Sequence, residues 1–553
     1  MINPARTADL WWKNAVIYCL DVETFSDSNG DGHGDLRGLI DRIDYLAELG
    51  VTCVWLMPFY PSPERDDGYD ITDYFAVDPR LGSLGDVVEL VRTARDRGIR
   101  VIADLVVNHT SNQHAWFKDA RASRDSPYRD WYVWRDEPPP DADKGVVFPD
   151  KEKSLWTYDE QAGQYYQHCF YKTEPDLNVA NPAVRDEIAK VMGFWLELGL
   201  SGFRVDAVPF LLDTKDNPEG SRLPDPHEYL ADLRAFLGRR RGDAILLGEV
   251  NLPYDDTMAF FGHADGVGDQ LTMCFDFVGM QAMYLSLARR DATPLAKALA
   301  DRPEPPRDGH WGTFVRNHDE LTLDKLTDAE RAEVFAAFGP DPDMQLYGRG
   351  LRRRIPTMLG GDQRRIRLVY SLLFAMPGTP VLFYGEEIGM AEDLRAEGRL
   401  AVRTPMQWEP GPNGGFSTAD PAKLPGPIPE GRYGPDQVNV AAQRYDPESL
   451  LSWIRLLIRR YRECPELAWG EYTVLDAGDD AVLAYRCDID GGTVLAVHNF
   501  GDTETTVTLK LEGVDDPVSL TELLSETPAT ASDDGRITLA LDPYGTRWLR
   551  VRH

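Results

Sequence analysis

Two charged side chains interrupt an apolar stretch, residues 202–208, that has the composition of a short buried β-strand. Arg204 and Asp206 are two residues apart, so both side chains point to the same face of an extended strand. Two charges on one buried face are costly unless they pair with each other or serve a reaction. This pattern alone predicts a structural ion pair and a catalytic carboxylate with equal weight, and other acidic residues must decide between them.

Acidic residues follow two further apolar runs in the same manner. Glu249 lies at the end of the run 246–250, and Asp319 comes soon after the run 311–316. In a barrel of parallel strands, functional side chains stand at the C-terminal strand ends, where these three carboxylates would meet. Neighbouring carboxylates separate in pKa, which yields a proton donor beside an ionised group. The set predicts retaining cleavage of a glycosidic bond, in which one carboxylate attacks and another protonates the leaving oxygen.

An oxygen-rich loop comes earlier in the chain. Asp27, Asn29 and Asp31 occupy alternate positions, and Gly32 follows at the sixth position. This spacing is typical of loops that fold side-chain oxygens around a hard cation such as calcium. Because Gly38 stands at the twelfth position, where an EF-hand has glutamate, the loop is not an EF-hand. The sequence predicts a calcium-type site here, with a plain loop of Asx turns as the alternative.

These side chains need a scaffold of parallel strands. Most of the apolar runs that could form such strands are separated by helical patterns, for example over residues 36–49 and 184–198. Strand–helix alternation with eight strands predicts a (β/α)8 TIM barrel, of the α/β class. The eight runs are residues 16–18, 51–57, 101–107, 202–208, 244–250, 271–277, 311–316 and 379–384.

Long stretches between and after the strands indicate further domains. Residues 108–180 are too many for a loop and are predicted to form a small inserted domain after the third strand. The barrel domain would then comprise residues 1–107 and 181–465. Short alternating strands predict a C-terminal antiparallel β-sandwich domain over residues 466–553. Two more excursions, residues 317–366 and 385–446, come before and after the eighth run, and the latter is expected to form a loop at the mouth of the barrel.

Composition limits the partners of this 553-residue chain. Its net charge of −32 argues against nucleic acid and membrane partners and favours a neutral substrate or a cation. Six scattered cysteines without C-x-x-C spacing are expected to be small buried hydrophobes. The start of the chain has no apolar signal core and no run of about 18 apolar residues occurs, which predicts a cytoplasmic protein. Whether the chain forms a homo-oligomer stays open.

Four stretches together resemble the motifs of the α-amylase family, glycoside hydrolase family 13. The resemblance implies that Asp206 is the nucleophile, Glu249 the general acid/base, and Asp319 the carboxylate that stabilises the transition state. It also implies that Arg204 orients Asp206. The four stretches are residues 104–109, 202–206, 247–249 and 317–319.

The same resemblance implies how substrate and metal are bound. Tyr69 would stack under the reacting glucose, and Arg403 would close the pocket. The implied metal is calcium, with magnesium as the other candidate at the 27–35 loop, and no organic cofactor. The remaining residues implied to bind this glucose are Asp66, His109 and His318. The implied metal ligands are Asp27, Asn29, Asp31 and Asp35 in the loop, and Asn108 and Asp176 at a second calcium between the inserted domain and the barrel.

Within the family, the chain is most similar to the members that interconvert maltose and trehalose, on residues 56–63, 163–166, 314–322 and 352–354. This implies transfer of a glucosyl group within the pocket, with small α-glucosides as substrates and some hydrolysis. Two stretches, residues 19–25 and 392–400, depart from the isomerase pattern and leave the acceptor open. The alternative is a retaining α-glucosidase. A non-catalytic glycan-binding protein is disfavoured, because binding alone does not require all three carboxylates.

Overall fold

The computed structural model describes residues 10–214, 217–218, 222–262, 266–511, 519–525, 530–531 and 536–552. Eight parallel strands close into a barrel in the order β1-β14-β10-β9-β8-β7-β3-β2. All eight overlap the predicted runs, so the predicted TIM barrel is confirmed. The barrel strands are β1 (Ile17–Leu20), β2 (Cys53–Leu56), β3 (Arg100–Leu105), β7 (Gly202–Val205), β8 (Ile245–Gly248), β9 (Met273–Phe275), β10 (His310–Phe314) and β14 (Thr379–Phe383).

Strand β7 is held between β3 and β8. Arg204 lies opposite Asp104 of β3 and Leu247 of β8 in the strand register. The strand begins at Gly202, whose φ is +138° and where an added Cβ would lie 2.2 Å from the Ile245 carbonyl oxygen. Only glycine allows the two strands to approach so closely there. This contact fixes the position of β7 relative to β8, and with it the positions of Arg204 and of Asp206, which follows the strand.

Helices cover the barrel on the outside, and local signals set their ends. In α6, Asn181 accepts a hydrogen bond from the Ala183 amide as N-cap and Pro182 occupies the first turn. The helices are α1 (Val22–Phe25), α2 (Leu36–Asp41), α3 (Ile43–Leu49), α4 (Leu84–Asp96), α5 (Ala115–Ala122), α6 (Pro182–Glu197), α7 (Val208–Leu212), α8 (Pro226–Arg240), α9 (Tyr254–Met258), α10 (Phe277–Arg289), α11 (Thr293–Asp301), α12 (Asp328–Phe338), α13 (Ile355–Met358), α14 (Gln363–Ala375), α15 (Val440–Gln443), α16 (Leu450–Glu463) and α17 (Pro465–Trp469). Short 3₁₀ helices span Trp11–Asn14, Arg129–Trp131, Ala259–Phe261, Pro342–Met344, Glu386–Ile388, Gly398–Val402, Pro412–Gly415, Pro421–Lys423 and Gly431–Tyr433.

The excursions carry small antiparallel sheets. After β3, a sheet with the order β4-β6-β5 forms within the segment predicted as the inserted domain. A second sheet, of order β11-β13-β12, follows β10. The exact domain bounds stay a prediction. The strands are β4 (Trp134–Arg135), β5 (Trp156–Asp159), β6 (Gln164–Gln167), β11 (Leu321–Thr322), β12 (Gln345–Leu346) and β13 (Gly350–Leu351).

The C-terminal part is built from two antiparallel sheets, β15-β16-β17-β22-β19 and β18-β21-β20. Apolar side chains of both sheets, among them Val497, Leu509 and Leu539, form a separate core between them. The predicted β-sandwich is confirmed. Its strands are β15 (Glu471–Leu475), β16 (Val482–Ile489), β17 (Gly492–Asn499), β18 (Thr505–Lys510), β19 (Ser519–Glu522), β20 (Thr530–Ala531), β21 (Arg536–Leu541) and β22 (Thr546–Arg552).

The cysteines and the helices can be compared with what the composition predicted. All six cysteines are free thiols, and all but the half-buried Cys169 are buried, as predicted. Among the described residues, no helix has the length and apolar character needed to cross a membrane. The first six residues, on which the expected lack of a signal segment rests, lie outside the described range.

Candidate active site

One buried guanidinium lies at the centre of the carboxylates. Arg204 is 1% exposed and contacts Asp104 at 2.5 Å and Asp206 at 2.5 Å through Nη1. Its Nη2 lies 2.8 Å from an Oε2 oxygen of Glu249. A planar guanidinium with several donors can serve more than one carboxylate in this way. The sequence left a structural ion pair and a catalytic carboxylate as alternatives. The structure combines them, because the ion pair of Arg204 and Asp206 is part of the carboxylate cluster.

Asp104 is a member of this group that the sequence reasoning left without a role. It is fully buried at the end of β3 and accepts a hydrogen bond from Trp55 Nε1 at 2.8 Å. The Tyr69 hydroxyl donates to the same carboxylate at 3.4 Å. The sequence did point to Asp104, because this residue begins the stretch 104–109, one of the four family motifs. Its contacts hold Arg204 and Tyr69 in fixed positions relative to each other.

The backbone after the candidate nucleophile is strained. Ala207 has a φ of +46°, in the left-handed region that non-glycine residues rarely occupy. Its amide donates a hydrogen bond to Glu249 Oε2 at 3.0 Å. The turn thus connects the residue following Asp206 directly to the second carboxylate.

Burial and charge separate the three carboxyl groups in acidity. Burial raises the pKa of Asp206 to about 6 and that of Glu249 to about 7, although Arg204 lowers both. Burial also acts to raise the pKa of Asp319, but the guanidinium groups of Arg399, Arg403 and Arg204, together with the His318 ring, hold it well below its ordinary value. Asp319 and Asp206 therefore ionise before Glu249. Glu249 is the group that holds a proton longest near neutral pH.

The two predicted histidines line the same site. His318 Nε2 shares a hydrogen bond of 2.6 Å with the Tyr69 hydroxyl, and the two rings stack at 5.6 Å. His109 is 2% exposed, and its Nε2 has no hydrogen-bond partner among the described residues. A buried polar atom without a partner is costly unless a ligand satisfies it. His109 Nε2 is thus available for a substrate hydroxyl.

Arg403, from the third excursion, contacts the site through all three of its guanidinium nitrogens. Its Nη1 pairs with Asp67, its Nη2 lies 3.2 Å from Asp319, and its Nε donates to the His318 carbonyl oxygen at 2.9 Å. Asp67, next to the predicted Asp66, was not assigned from the sequence. Burial raises the pKa of Asp66 to about 7, while Arg399 and Arg403 lower it. Asp67, rather than the predicted Asp66, is thus the residue that pairs with Arg403 in the contacts of the described residues.

Arg399 is the main site residue that the sequence reasoning missed. It lies in the 392–400 stretch that departs from the isomerase pattern, and it contacts Asp319 at 2.9 Å and Glu320 at 3.0 Å. Its guanidinium also lies 4.7 Å from the ring centroid of Phe148 and 5.9 Å from that of Tyr347. Phe148 belongs to the segment after β3 and Tyr347 to the segment after β10. Arg399 therefore joins three excursions above the carboxylates.

Comparison with known proteins places this geometry in a family. The family described as "Alpha amylase, catalytic domain" matches residues 19–336 and 352–470. The chain belongs to the alpha-amylase family. The C-terminal domain described as "Sucrose hydrolase-like" matches residues 491–550 of this alpha-amylase-family enzyme.

Relatives and solved structures of the alpha-amylase family extend over nearly the whole chain. A trehalose synthase/amylase of Mycobacterium tuberculosis is 42% identical, over 91% of this chain and 84% of its own length. A trehalose synthase of Pimelobacter sp. is 40% identical, over 98% of this chain and 96% of its own. The crystal structure of the trehalulose synthase MutB from Pseudomonas mesoacidophila has a TM-score of 0.75 at 29% identity, covering 98% and 99% of the two chains.

The oxygen-rich loop of this alpha-amylase-family enzyme folds around its own side chains. Asp27 accepts hydrogen bonds from the amides of Asn29, Gly30 and Gly32 at 2.7–3.0 Å. Asp31 accepts from the His33 amide, and Asn29 from the Asp31 amide. Asp35 caps helix α2 by accepting from the Gly38 amide at 2.7 Å. The Asx turns expected as the alternative are present, and calcium binding by this loop stays a prediction.

The second predicted metal position is bridged by a direct contact. Asn108 Nδ2 donates to Asp176 Oδ1 at 3.1 Å, and both side chains are buried. Backbone pairing of His109 with Asp176 ties the same two segments together. Direct side-chain and backbone contacts within the chain thus join the inserted segment to the barrel. A calcium ion at Asn108 and Asp176 stays a prediction.

A different acidic cluster includes Asp67, the partner of Arg403. Glu23, Glu64 and Asp67 have carboxylate oxygens within 4.8 Å of one another, and among the described residues no other trio of His, Cys, Asp or Glu side chains meets that distance. Arg80 pairs with Glu23 at 2.8 Å and also contacts Glu64. Partial burial and the neighbouring carboxylates of Glu23 and Asp67 raise the pKa of Glu64, against the opposing effect of Arg80. Glu23 belongs to the stretch 19–25, which differs from the isomerase pattern. This stretch therefore lies next to Asp67 and the site.

Proposed function

We propose that this enzyme interconverts maltose and trehalose by transferring a glucosyl group within one closed pocket, with some hydrolysis. The observation that carries the proposal is the contact of one buried Arg204 with both Asp206 and Glu249, whose acidities differ in the order that retaining chemistry needs. The similarity to trehalose synthases at 40–42% identity supports maltose and trehalose as the substrates.

The reaction proceeds in two displacements. Asp206 attacks the anomeric carbon while Glu249 donates its proton to the glycosidic oxygen, which forms a β-glucosyl-enzyme and releases glucose. The released glucose turns in the pocket, and Glu249 removes the proton of its anomeric hydroxyl as that oxygen attacks the held glucosyl carbon. The bond to Asp206 breaks and a 1,1-linkage forms. Arg204 keeps Asp206 ionised, and Asp319 stabilises the positive charge of the transition state.

The closed mouth favours glucose over water as acceptor. Arg399 joins Phe148, Tyr347 and Asp319, so the released glucose is covered by three chain segments. Excluding water from such a pocket suppresses hydrolysis of the glucosyl-enzyme. Glucose binding in this scheme uses Asp66, Tyr69, His109, His318 and Arg403.

Product analysis with purified enzyme tests the substrate and the acceptor. Incubation with maltose is expected to yield trehalose as the main product and glucose as a minor one, measured by anion-exchange chromatography. Incubation with trehalose should approach the same maltose-to-trehalose ratio from the other side. Adding ¹³C-labelled glucose tests the acceptor, since an intramolecular transfer leaves the label out of trehalose. Glucose as the sole product would instead establish an α-glucosidase.

The pH dependence follows from the two carboxyl groups. We expect kcat/KM on maltose to be highest between about pH 6 and pH 7, because Asp206, with a pKa of about 6, must be ionised and Glu249, with a pKa of about 7, must be protonated. The Glu249→Gln variant, assayed with 4-nitrophenyl α-glucoside, needs no proton donor for the first displacement. Its burst of nitrophenolate should keep the acidic limb and lose the alkaline one. An alkaline limb that persists in this variant would contradict the assignment of Glu249.

We propose that calcium, or magnesium in its place, binds the loop through Asp27, Asn29, Asp31 and Asp35. Removing an ion that binds only the folded state lowers stability, so exhaustive chelation should lower Tm by at least about 3 °C, and calcium should restore it. The variant Asp31→Ala is the control and should respond little to chelator or calcium. A wild-type Tm that is the same in chelator and in millimolar calcium would count against the site.

We also propose that the enzyme works in the cytoplasm. Six unpaired cysteines fit a reducing compartment.

A further inference from the structure

A second concave site lies at the opposite end of the barrel from the carboxylates. A groove of about 730 Å³ runs between the C-terminal end of α3 and the last turns of α16. Its wall includes Gly50, which precedes the first residue of β2 by three positions. Because Asp206 and Glu249 follow the C-terminal ends of their strands, the groove opens at the N-terminal face. A neutral disaccharide bound at the carboxylates does not reach it.

Three arginines of α16 line the groove. Arg455, Arg459 and Arg462 are spaced four and three residues apart, so they lie on one face of the helix. The helix carries four arginines and one glutamate, in a chain with 59 basic and 91 acidic residues. This face therefore has a charge opposite to that of the protein as a whole.

The positive charge of the groove is only partly neutralised. Glu48 pairs with Arg444 and with Arg455, the latter at 3.3 Å, and Glu463 pairs with Arg460 at 2.7 Å. Within the described part of the chain, the guanidinium groups of Arg459 and Arg462 make no hydrogen bond or ion pair. The Nε of Arg455 is buried and likewise lacks an acceptor among the described residues.

The end of α3 does not need these donors. Gly50 adopts a φ of +98° and its own amide donates to the Ala47 and Leu46 carbonyl oxygens, which closes the helix. The floor between the arginines is apolar, because it consists of the half-buried Ala47 and the methylene groups of the arginine side chains, with Leu49 and Ile458 buried beneath them. The groove thus offers unpaired guanidinium donors above an apolar surface.

We propose that this groove binds a small phosphate ester. Arginine forks match the oxygens of a phosphate group, and the apolar floor contacts the organic part of the molecule. The volume suits a ligand of metabolite size rather than a polymer. The site is separate from the glucosyl-transfer site and does not depend on the function proposed for it.

Calorimetric titration with phenyl phosphate at constant ionic strength tests this site, with inorganic phosphate and phenol as companion probes. We expect phenyl phosphate to bind with a Kd below about 1 mM, at least about tenfold tighter than either companion. The double variant Arg459→Gln, Arg462→Gln should weaken binding at least about tenfold. The charge-matched control Arg239→Gln, Arg240→Gln changes two exposed arginines of α8 and should bind as the wild type does.

Three results would overturn the proposal. Phenyl phosphate that shows no binding at millimolar concentration removes the site altogether. Equal weakening in the two double variants makes the effect one of net charge rather than of the groove. Inorganic phosphate that binds as tightly as phenyl phosphate excludes an ester as the ligand. Both double variants should convert maltose at the wild-type rate, which shows that they are folded.

Discussion

Replacement of Asp206 by alanine is expected to lower kcat on maltose by at least about 10⁴-fold while the protein stays folded. The loss is large because no other group can form the glucosyl-enzyme. The fold survives because Arg204 keeps its contacts with Asp104 at 2.5 Å and with Glu249 at 2.8 Å, so no buried charge is left alone. Initial rates on maltose and a thermal unfolding curve measure the two effects separately.

Azide distinguishes the roles of the two carboxylates. In Asp206→Ala, azide can occupy the space of the missing carboxylate and attack 4-nitrophenyl α-glucoside from the β face, which yields β-glucosyl azide. In Glu249→Ala, the glucosyl-enzyme still forms, and azide attacks it from the opposite face to yield the α anomer. Nuclear magnetic resonance of the product assigns the anomer. If Asp206→Ala retained more than a trace of its activity on maltose, the nucleophile would have to be another residue.

Replacement of Arg204 by methionine is expected to have the largest effect on stability. It removes the cation that serves Asp104, Asp206 and Glu249, all of them buried or nearly so. Removing one partner of a buried ion pair typically costs about 3–5 kcal/mol. Activity should be lost as well, since burial without Arg204 raises the pKa of Asp206 further and keeps it protonated.

The stability loss in Arg204→Met should depend on pH. Without the guanidinium, the folded state holds protons on these carboxyl groups that the unfolded state releases, so stability falls as pH rises above their unfolded pKa values. The Tm difference from wild type is expected to be larger at pH 7.5 than at pH 5.5. Arg204→Lys, which keeps one charge but not the planar fork, should lie between the two. A Tm within 2 °C of wild type at both pH values would show that Arg204 does not hold the carboxylates.

Much of the scaffold was accessible from the sequence because it depends on local patterns. Each barrel strand is a short apolar run, and the helices between strands have 3.6-residue periodicity, so all eight barrel strands were predicted within a few residues. The predicted catalytic residues Asp206 and Glu249 follow their strands directly, and Asp319 comes five positions after the end of β10. Their positions at one mouth result from the parallel arrangement of the strands, which the alternating pattern already indicates.

The long excursions were not predictable in the same way. Residues 108–180, 317–366 and 385–446 have little periodicity, and their contacts join residues far apart in sequence. Arg403 pairs with Asp67 across 336 positions, and Arg399 reaches Glu320 across 79. Only packing in three dimensions decides which of the many arginines and carboxylates pair there. For this reason the role of Arg399 could not be predicted from the stretch 392–400 alone.

The stretch 202–208 shows both sides of this division. Its sequence by itself determined a buried strand that presents Arg204 and Asp206 on one face, because side chains alternate along an extended chain. The tertiary structure decided what the two charges do, since neighbouring strands bring Asp104 and Glu249 to the same guanidinium. A buried cation lowers the free energy of several carboxylates at once only when the register of β3, β7 and β8 places them around it. That register depends on the closed barrel and not on any single strand.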